Sequence, residues 1–243
     1  MNKNMDIMRL NFRCTTYEAD DSWKKFFTLI RLVELDKISA AIGNDFTPPE
    51  NKVLRFCEID LSQIKVIVLG QDPYPQQDVA TGRSFEVGDI KSWAELKRNA
   101  SLVNILKLLH KNYLGADDVV GIAEIRADIA SGRFPVLPPK KLFSYLEEQG
   151  VLFLNTALTC KIMDSGSHTE IWRGFTSELL KFISVNNPEA KWLLWGKDAQ
   201  EFASFVPAGQ KMTSYHPRLH DKKEGSFLGE NHFAKCPEIT WVE

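Results

Sequence analysis

Val66-Ile67-Val68-Leu69 places four branched side chains in a row, offers no polar face, and ends at Gly70-Gln71-Asp72-Pro73-Tyr74-Pro75. Such a run suits a strand buried on both faces, the condition of a parallel sheet covered by helices. The pattern recurs along the chain. Val151-Leu152-Phe153-Leu154 leads into Asn155-Thr156, Trp192-Leu193-Leu194-Trp195 into Gly196-Lys197, and a weaker strand near 211–215 into His216-Pro217. Between these runs lie stretches of helical period. Ser101 reads as an N-cap before Leu102, Ile105, Leu106 and Leu109, Leu142–Gln149 closes at Gly150, and further helices are expected over about 168–185 and 198–205. This alternation predicts an α/β fold, three-layer α/β/α with a central four-stranded, mainly parallel sheet.

The remaining stretches are less regular. Residues 1 to about 20 are polar and aperiodic and read as an N-terminal extension, whereas Trp23, Phe26, Phe27, Ile30 and Val33 recur at the spacing of an amphipathic helix. Residues 42–49 read as a loop, 53–57 as a short helix, and 82–87 as a short strand. A segment near 114–138, with a helix over about 119–130 and prolines at 135, 138 and 139, is a candidate insertion. With no internal repeat and no linker, the expectation is one domain spanning 1–243.

The formal net charge of −2 gives no global attraction to polyanions, so contact with nucleic acid requires a local basic patch. Cys14, Cys57, Cys160 and Cys236 form no CxxC pair, which argues against a zinc site or a disulfide framework and for a reducing cytoplasm. No apolar run approaches a membrane span or a signal peptide. In a parallel sheet the strand ends carrying Gln71-Asp72-Pro73-Tyr74, Asn155, Gly196-Lys197 and His216 all converge on one edge, where ligands bind. Each of these groups alone is more often a turn or cap residue than a ligand; together they define a site.

At these residues the chain resembles the uracil-DNA glycosylases, in particular the main family with a GQDPYH box, here GQDPYP. Gly82-Arg83-Ser84-Phe85 is similar to the segment bearing a stacking phenylalanine, Gly150–Thr159 to the strand bearing a uracil-reading asparagine, and His216-Pro217 with Gly225–Gly229 to the DNA-intercalation loop. The resemblance spans about residues 50–235. It implies an enzyme that flips uracil out of DNA and hydrolyses its N-glycosidic bond, leaving an abasic site. Asp72 and His216 are then the catalytic pair, the carboxylate serving the cationic sugar and the attacking water, the neutral imidazole serving the anionic base. Gln71, Tyr74, Phe85 and Asn155 bind uracil: Phe85 stacks on it, Asn155 reads its edge, and Tyr74 occupies the space of thymine's methyl. No metal, nucleotide cofactor or covalent lysine is required. The implied partners are uracil-containing DNA, single- or double-stranded, and a proteinaceous inhibitor of the family; the implied state is a monomer away from membranes.

The chain departs from the family's pattern in the segments that grip DNA. Pro75 replaces a histidine, Asn99-Ala100-Ser101 stands where a proline-rich loop ends in Pro-Ser, Lys197 replaces a serine, and Arg218 replaces a phosphate-binding serine. Ser101, Lys197 and Arg218 remain as candidate phosphate contacts, and Leu219 as the candidate wedge one position early. These changes motivate an alternative in which the scaffold serves as a catalytically weak DNA-binding or replication-accessory protein. A third reading, another damaged base as substrate, is disfavoured by the uracil-shaped set Tyr74 and Asn155.

Overall fold

The computed structural model describes residues 8–96 and 99–243. In chain order the strands are β1 (Met8–Phe12), β2 (Thr15–Ala19), β3 (Val66–Gly70), β4 (Val151–Asn155), β5 (Lys191–Trp195) and β6 (Gln210–Ser214). The helices are α1 (Leu29–Ala41), α2 (Glu50–Val53), α3 (Ala100–Leu114), α4 (Ile122–Ser131), α5 (Pro139–Glu148), α6 (Thr169–Asn186), α7 (Lys197–Glu201) and α8 (Phe227–Glu230).

The central sheet has the order β4-β3-β5-β6, and all three pairings are parallel. Successive side chains of a strand point to opposite faces, and the two halves of the core follow this alternation. Ile67, Leu69, Leu152, Leu154, Trp192 and Leu194 face α1, α6 and the β1–β2 hairpin. Val66, Val68, Val151, Phe153, Leu193 and Trp195 face α3, α4 and α5. The expected three-layer α/β arrangement is therefore present, with no water-facing side on the inner strands. Because β4 lies on one side of β3 and β5 on the other, the chain reverses its direction of travel across the sheet at β3, and the carboxyl end of β3 opens a crevice there.

Several sequence expectations are corrected. Residues 8–19 are not aperiodic but an antiparallel hairpin, with Leu10, Phe12, Tyr17 and Ala19 buried on alternate positions; the first seven residues of the expected extension lie outside the described ones. The amphipathic helix does not run from Trp23 to Val33. Trp23 ends a 3-10 turn capped by Asp20, its indole N–H donates to the Ile59 carbonyl at 2.7 Å, and α1 starts only at Leu29. Ile30 and Val33 are 75% and 45% exposed, because the helix buries Leu35 and Ile38 instead.

Residues 82–87 form turns with a lone bridge, Ala80 to Val87, and no strand. The cause is Phe85, whose φ of +63° a strand cannot accommodate. The candidate insertion is built into the core: Phe134 and Ile125 are buried, and His110 of α3 meets Asp128 of α4 at 2.7 Å.

Candidate active site

The strand ends converge on one crevice. Its inner cavity, of about 250 Å³, is lined by Gln71, Asp72, Tyr74, Phe85, Asn155 and His216, with Ser101 and Arg218 at its margin. Lys197 and Leu219 lie outside it. They line an adjoining cavity of about 460 Å³ that shares Gln71, His216 and Arg218 with the first.

Asp72 follows β3 on a loop that the segment after β4 holds closely. Gln71 O accepts from the Ala157 N–H and the Thr156 hydroxyl, both at 2.8 Å, and Pro75 O accepts from the Met163 N–H at 2.8 Å. One carboxylate oxygen, Oδ2 of Asp72, accepts from the Ser165 hydroxyl at 2.8 Å and the Gly166 N–H at 2.5 Å. Both donors meet the same oxygen and fix the orientation of the carboxylate in the cavity wall. Burial raises the Asp72 pKa, opposed by those two hydrogen bonds, while the nearby Asp198 carboxylate adds to the rise. Ser165 and Gly166 are hydrogen-bond partners of Asp72 that sequence reasoning missed, since nothing in their own stretch marks them and only the tertiary fold brings them to Asp72.

His216 has a defined tautomer. The Arg218 N–H points at its Nδ1 at 3.1 Å, and a backbone N–H can only donate, so Nδ1 accepts and Nε2 carries the proton of the neutral ring. Burial lowers its pKa, the Arg218 cation lowers it further, and Asp198 opposes. Gly196, at φ +96°, lets the turn after β5 pass the imidazole: a Cβ there would stand 3.1 Å from His216 Cβ and Cδ2. The following loop is tied down from α3, where the buried Asn104 donates to Pro217 O at 2.6 Å and Leu219 O at 3.0 Å. Leu219 itself remains 43% exposed at the tip of that loop.

Phe85 forms one wall of the cavity. Its left-handed backbone is costly for a bulky residue, roughly 1–3 kcal/mol, and the flanks hold it in place. The Ser84 hydroxyl donates to Val68 O at 3.0 Å, and Arg83 pairs with Glu86 at 3.0 Å and also with Glu147. The ring rests against Trp195 at 5.3 Å and approaches the His216 ring at 6.1 Å.

Asn155 ends β4 and is 3% exposed, yet its Oδ1 has no hydrogen-bond partner among the described residues. A buried amide oxygen without a partner is unfavourable by about 1–3 kcal/mol until a donor arrives. Tyr74 is half-buried with its phenol desolvated, which pushes the phenol up to about 12, and its hydroxyl accepts from Asn99 Nδ2 at 2.7 Å. An aromatic shelf, an amide, a carboxylate and a neutral imidazole donor around one small cavity can bind a flat polar ring and cleave a bond to it. Fold and site together define an α/β protein with acid, base and hydrogen-bonding groups gathered in one small crevice at the switch point of its sheet.

The comparisons with known proteins agree. The model of the uracil DNA glycosylase superfamily matches residues 56–236. The uracil-DNA glycosylase of Lactococcus lactis subsp. lactis is 31% identical over 196 residues, covering 79% of this chain and 78% of that protein. That of Campylobacter fetus is 30% identical over 229 residues, covering 90% and 87%. Among solved structures, mimivirus uracil-DNA glycosylase superposes with a TM-score of 0.68 at 22% identity, covering 89% of this chain and 81% of that one. The Nitratifractor salsuginis UNG does so at 0.66 and 24%, covering 83% and 85%. A variant of the mimivirus protein has been solved in complex with UGI. The chain belongs to the uracil DNA glycosylase superfamily.

Proposed function

We infer that the protein is a uracil-DNA glycosylase of the GQDPYH-box type, a DNA repair hydrolase that releases uracil and leaves an abasic site. The observation that carries the reading is the joint placement of Asp72, Asn155, Phe85, Tyr74 and His216 around one cavity.

In this mechanism the flipped uracil stacks on Phe85, and its N3–H finds the unpartnered Oδ1 of Asn155 while the amide NH2 faces O4. Cytosine presents the opposite donor pattern and leaves Asn155 unsatisfied, which disfavours it by about 1–3 kcal/mol. Tyr74 fills the space that a 5-methyl group would need, and Gln71 borders the ring. As the glycosidic bond breaks, the bonding electron pair leaves with the base. The His216 Nε2–H, set by the Arg218 N–H on the far side of the ring, donates to the developing uracil oxyanion. Asp72, held by Ser165 and Gly166, faces the cationic sugar and takes the proton of the attacking water.

Ser101, Lys197 and Arg218 contact DNA phosphates, and Lys197 and Arg218 supply the local positive charge that the net charge of −2 lacks. Leu219, exposed at the tip of the loop tied to Asn104, enters the vacated stack. The protein acts as a single-domain monomer in the cytoplasm; among the described residues no helix is long and apolar enough to cross a membrane. Sensitivity to a proteinaceous inhibitor is supported by the UGI complex of the mimivirus relative.

The test is release of free uracil from single-stranded, U:A and U:G oligonucleotides. Release that Asp72→Asn abolishes is expected. Folded protein that binds these DNAs tightly without releasing uracil would instead establish the accessory DNA-binding role.

A further inference from the structure

Asn99, at the N-cap of α3, is used by none of the steps above. It lies in a stretch where the family resemblance leads one to expect proline-rich sequence, and its side chain joins two parts of the site. Oδ1 accepts from the Leu102 N–H at 2.9 Å, capping the helix, while Nδ2 donates to the Tyr74 hydroxyl at 2.7 Å. The helix cap decides the amide's orientation, because a backbone N–H can meet only the oxygen; the NH2 is thereby delivered to Tyr74.

The Tyr74 ring is half-buried and packs against the core that α3 covers. Its neighbours anchor the main chain: Pro73 O accepts from the Cys160 thiol and Pro75 O from the Met163 N–H. These contacts hold the backbone but do not reach the phenolic hydroxyl. Asn99 is the hydroxyl's one side-chain partner among the described residues.

We propose that Asn99 is a specificity-determining positioning residue, which ties the Tyr74 ring to the first turn of α3 and so keeps closed the space that a 5-substituent on the base would need. This rests on the reading of Tyr74 as the barrier to thymine. A tethered ring excludes a methyl group sterically, whereas an untethered one yields by rotating away. Loss of one such hydrogen bond corresponds to roughly a 3- to 10-fold change. The effect falls on discrimination rather than on uracil turnover, since uracil itself does not press on the ring.

The variants separate capping from positioning. Asn99→Ser retains a helix cap but is too short to reach Tyr74, and Asn99→Asp retains the cap and can accept the Tyr74 proton. The measurement is kcat/KM for uracil divided by that for 5-fluorouracil and for thymine, in single-stranded oligonucleotides. Binding of free uracil and free thymine, followed by isothermal titration, gives the same ratio without catalysis. The expected result is a ratio lowered about 3- to 10-fold in Asn99→Ser, restored in Asn99→Asp, and lowered no further when Tyr74→Phe is added to Asn99→Ser. An unchanged ratio in Asn99→Ser by both measurements overturns the proposal and leaves Asn99 a helix cap. Selective uracil binding that Asn99→Ser relaxes, in a protein that releases no uracil, would refute the glycosylase reading and leave this one standing.

Discussion

Gly70 is the position at which one methyl group most directly tests the assignment of the site. It is the last residue of β3, and a Cβ there would stand 2.8 Å from Ser84 Cβ and closer still to the Asn155 amide oxygen. Ordinary carbon contacts need about 3.5–4.0 Å, so in Gly70→Ala the Asn155 amide and the Ser84 turn must retreat by roughly 1 Å. Overpacking of that size costs the fold about 1–3 kcal/mol, which a domain of this core size survives. The chemistry suffers more. A 1 Å misplacement of a positioning group lowers rate by roughly 10²-fold, equivalent to about 2.7 kcal/mol of barrier.

Gly70→Ala is therefore expected to melt cooperatively a few degrees below wild type and to release uracil about 100-fold more slowly. The loss should appear in kcat/KM on single-stranded and duplex substrates alike, because the base pocket is common to both. Gly121→Ala is the control: an added methyl there meets no atom within 4 Å, and its φ is not positive. If folded Gly70→Ala keeps more than about a third of wild-type activity, Asn155 does not read the base at this spot.

Four further outcomes are expected. Asp72→Asn should abolish release yet raise Tm at neutral pH. Burial raises the Asp72 pKa in the folded state, so its carboxylate opposes folding above that pKa, and the gain should vanish as the pH falls through it. Activity should fall at acid pH as the neutral His216 is protonated. Arg218→Ala, which removes a cation that lowers the His216 pKa, should move the acid limb of kcat to higher pH, and a limb that stays in place would exclude His216 as its origin. His232 is buried, accepts from the Trp195 indole N–H at 3.0 Å and has a pKa lowered to about 4, so its contribution to stability is complete above pH 6.5 and is lost as the pH drops toward 4. That loss is on the order of 3 kcal/mol, and calorimetry across this range should show a flatter slope for His232→Asn. Asn104→Ala removes both donors from the Pro217–Leu219 carbonyls and should slow uracil release from U:A duplex more than from single strands, since only the duplex needs the wedge.

Much of this protein was legible in its amino-acid order because its strands are buried on both faces. A residue run such as Val66–Leu69 or Leu152–Leu154 has few alternatives to a covered parallel strand, so the layers and the common edge of Asp72, Asn155 and His216 followed from local pattern. Where one face meets a local irregularity, the pattern misled. Trp23, Phe26 and Phe27 have helical spacing, but the Trp23 indole and the Asp20 cap hold them in turns, and the hairpin of residues 8–19 alternates too briefly to stand out. Phe85 sits in a segment of strand-like alternation, yet its ring reaches the cavity only from a left-handed backbone braced by Arg83, Glu86 and Glu147.

The sequence alone therefore determined which residues stand at the strand ends, because side-chain alternation and apolar runs are local properties of the chain. The tertiary structure alone decided how those residues are held. Ser165 and Gly166 reach Asp72 across more than ninety positions, Asn99 reaches Tyr74 across 25, and Asn104 reaches Pro217 across 113. Hydrogen bonds between such distant segments have no periodicity to read, and they exist only once the core has brought the segments within about 3 Å.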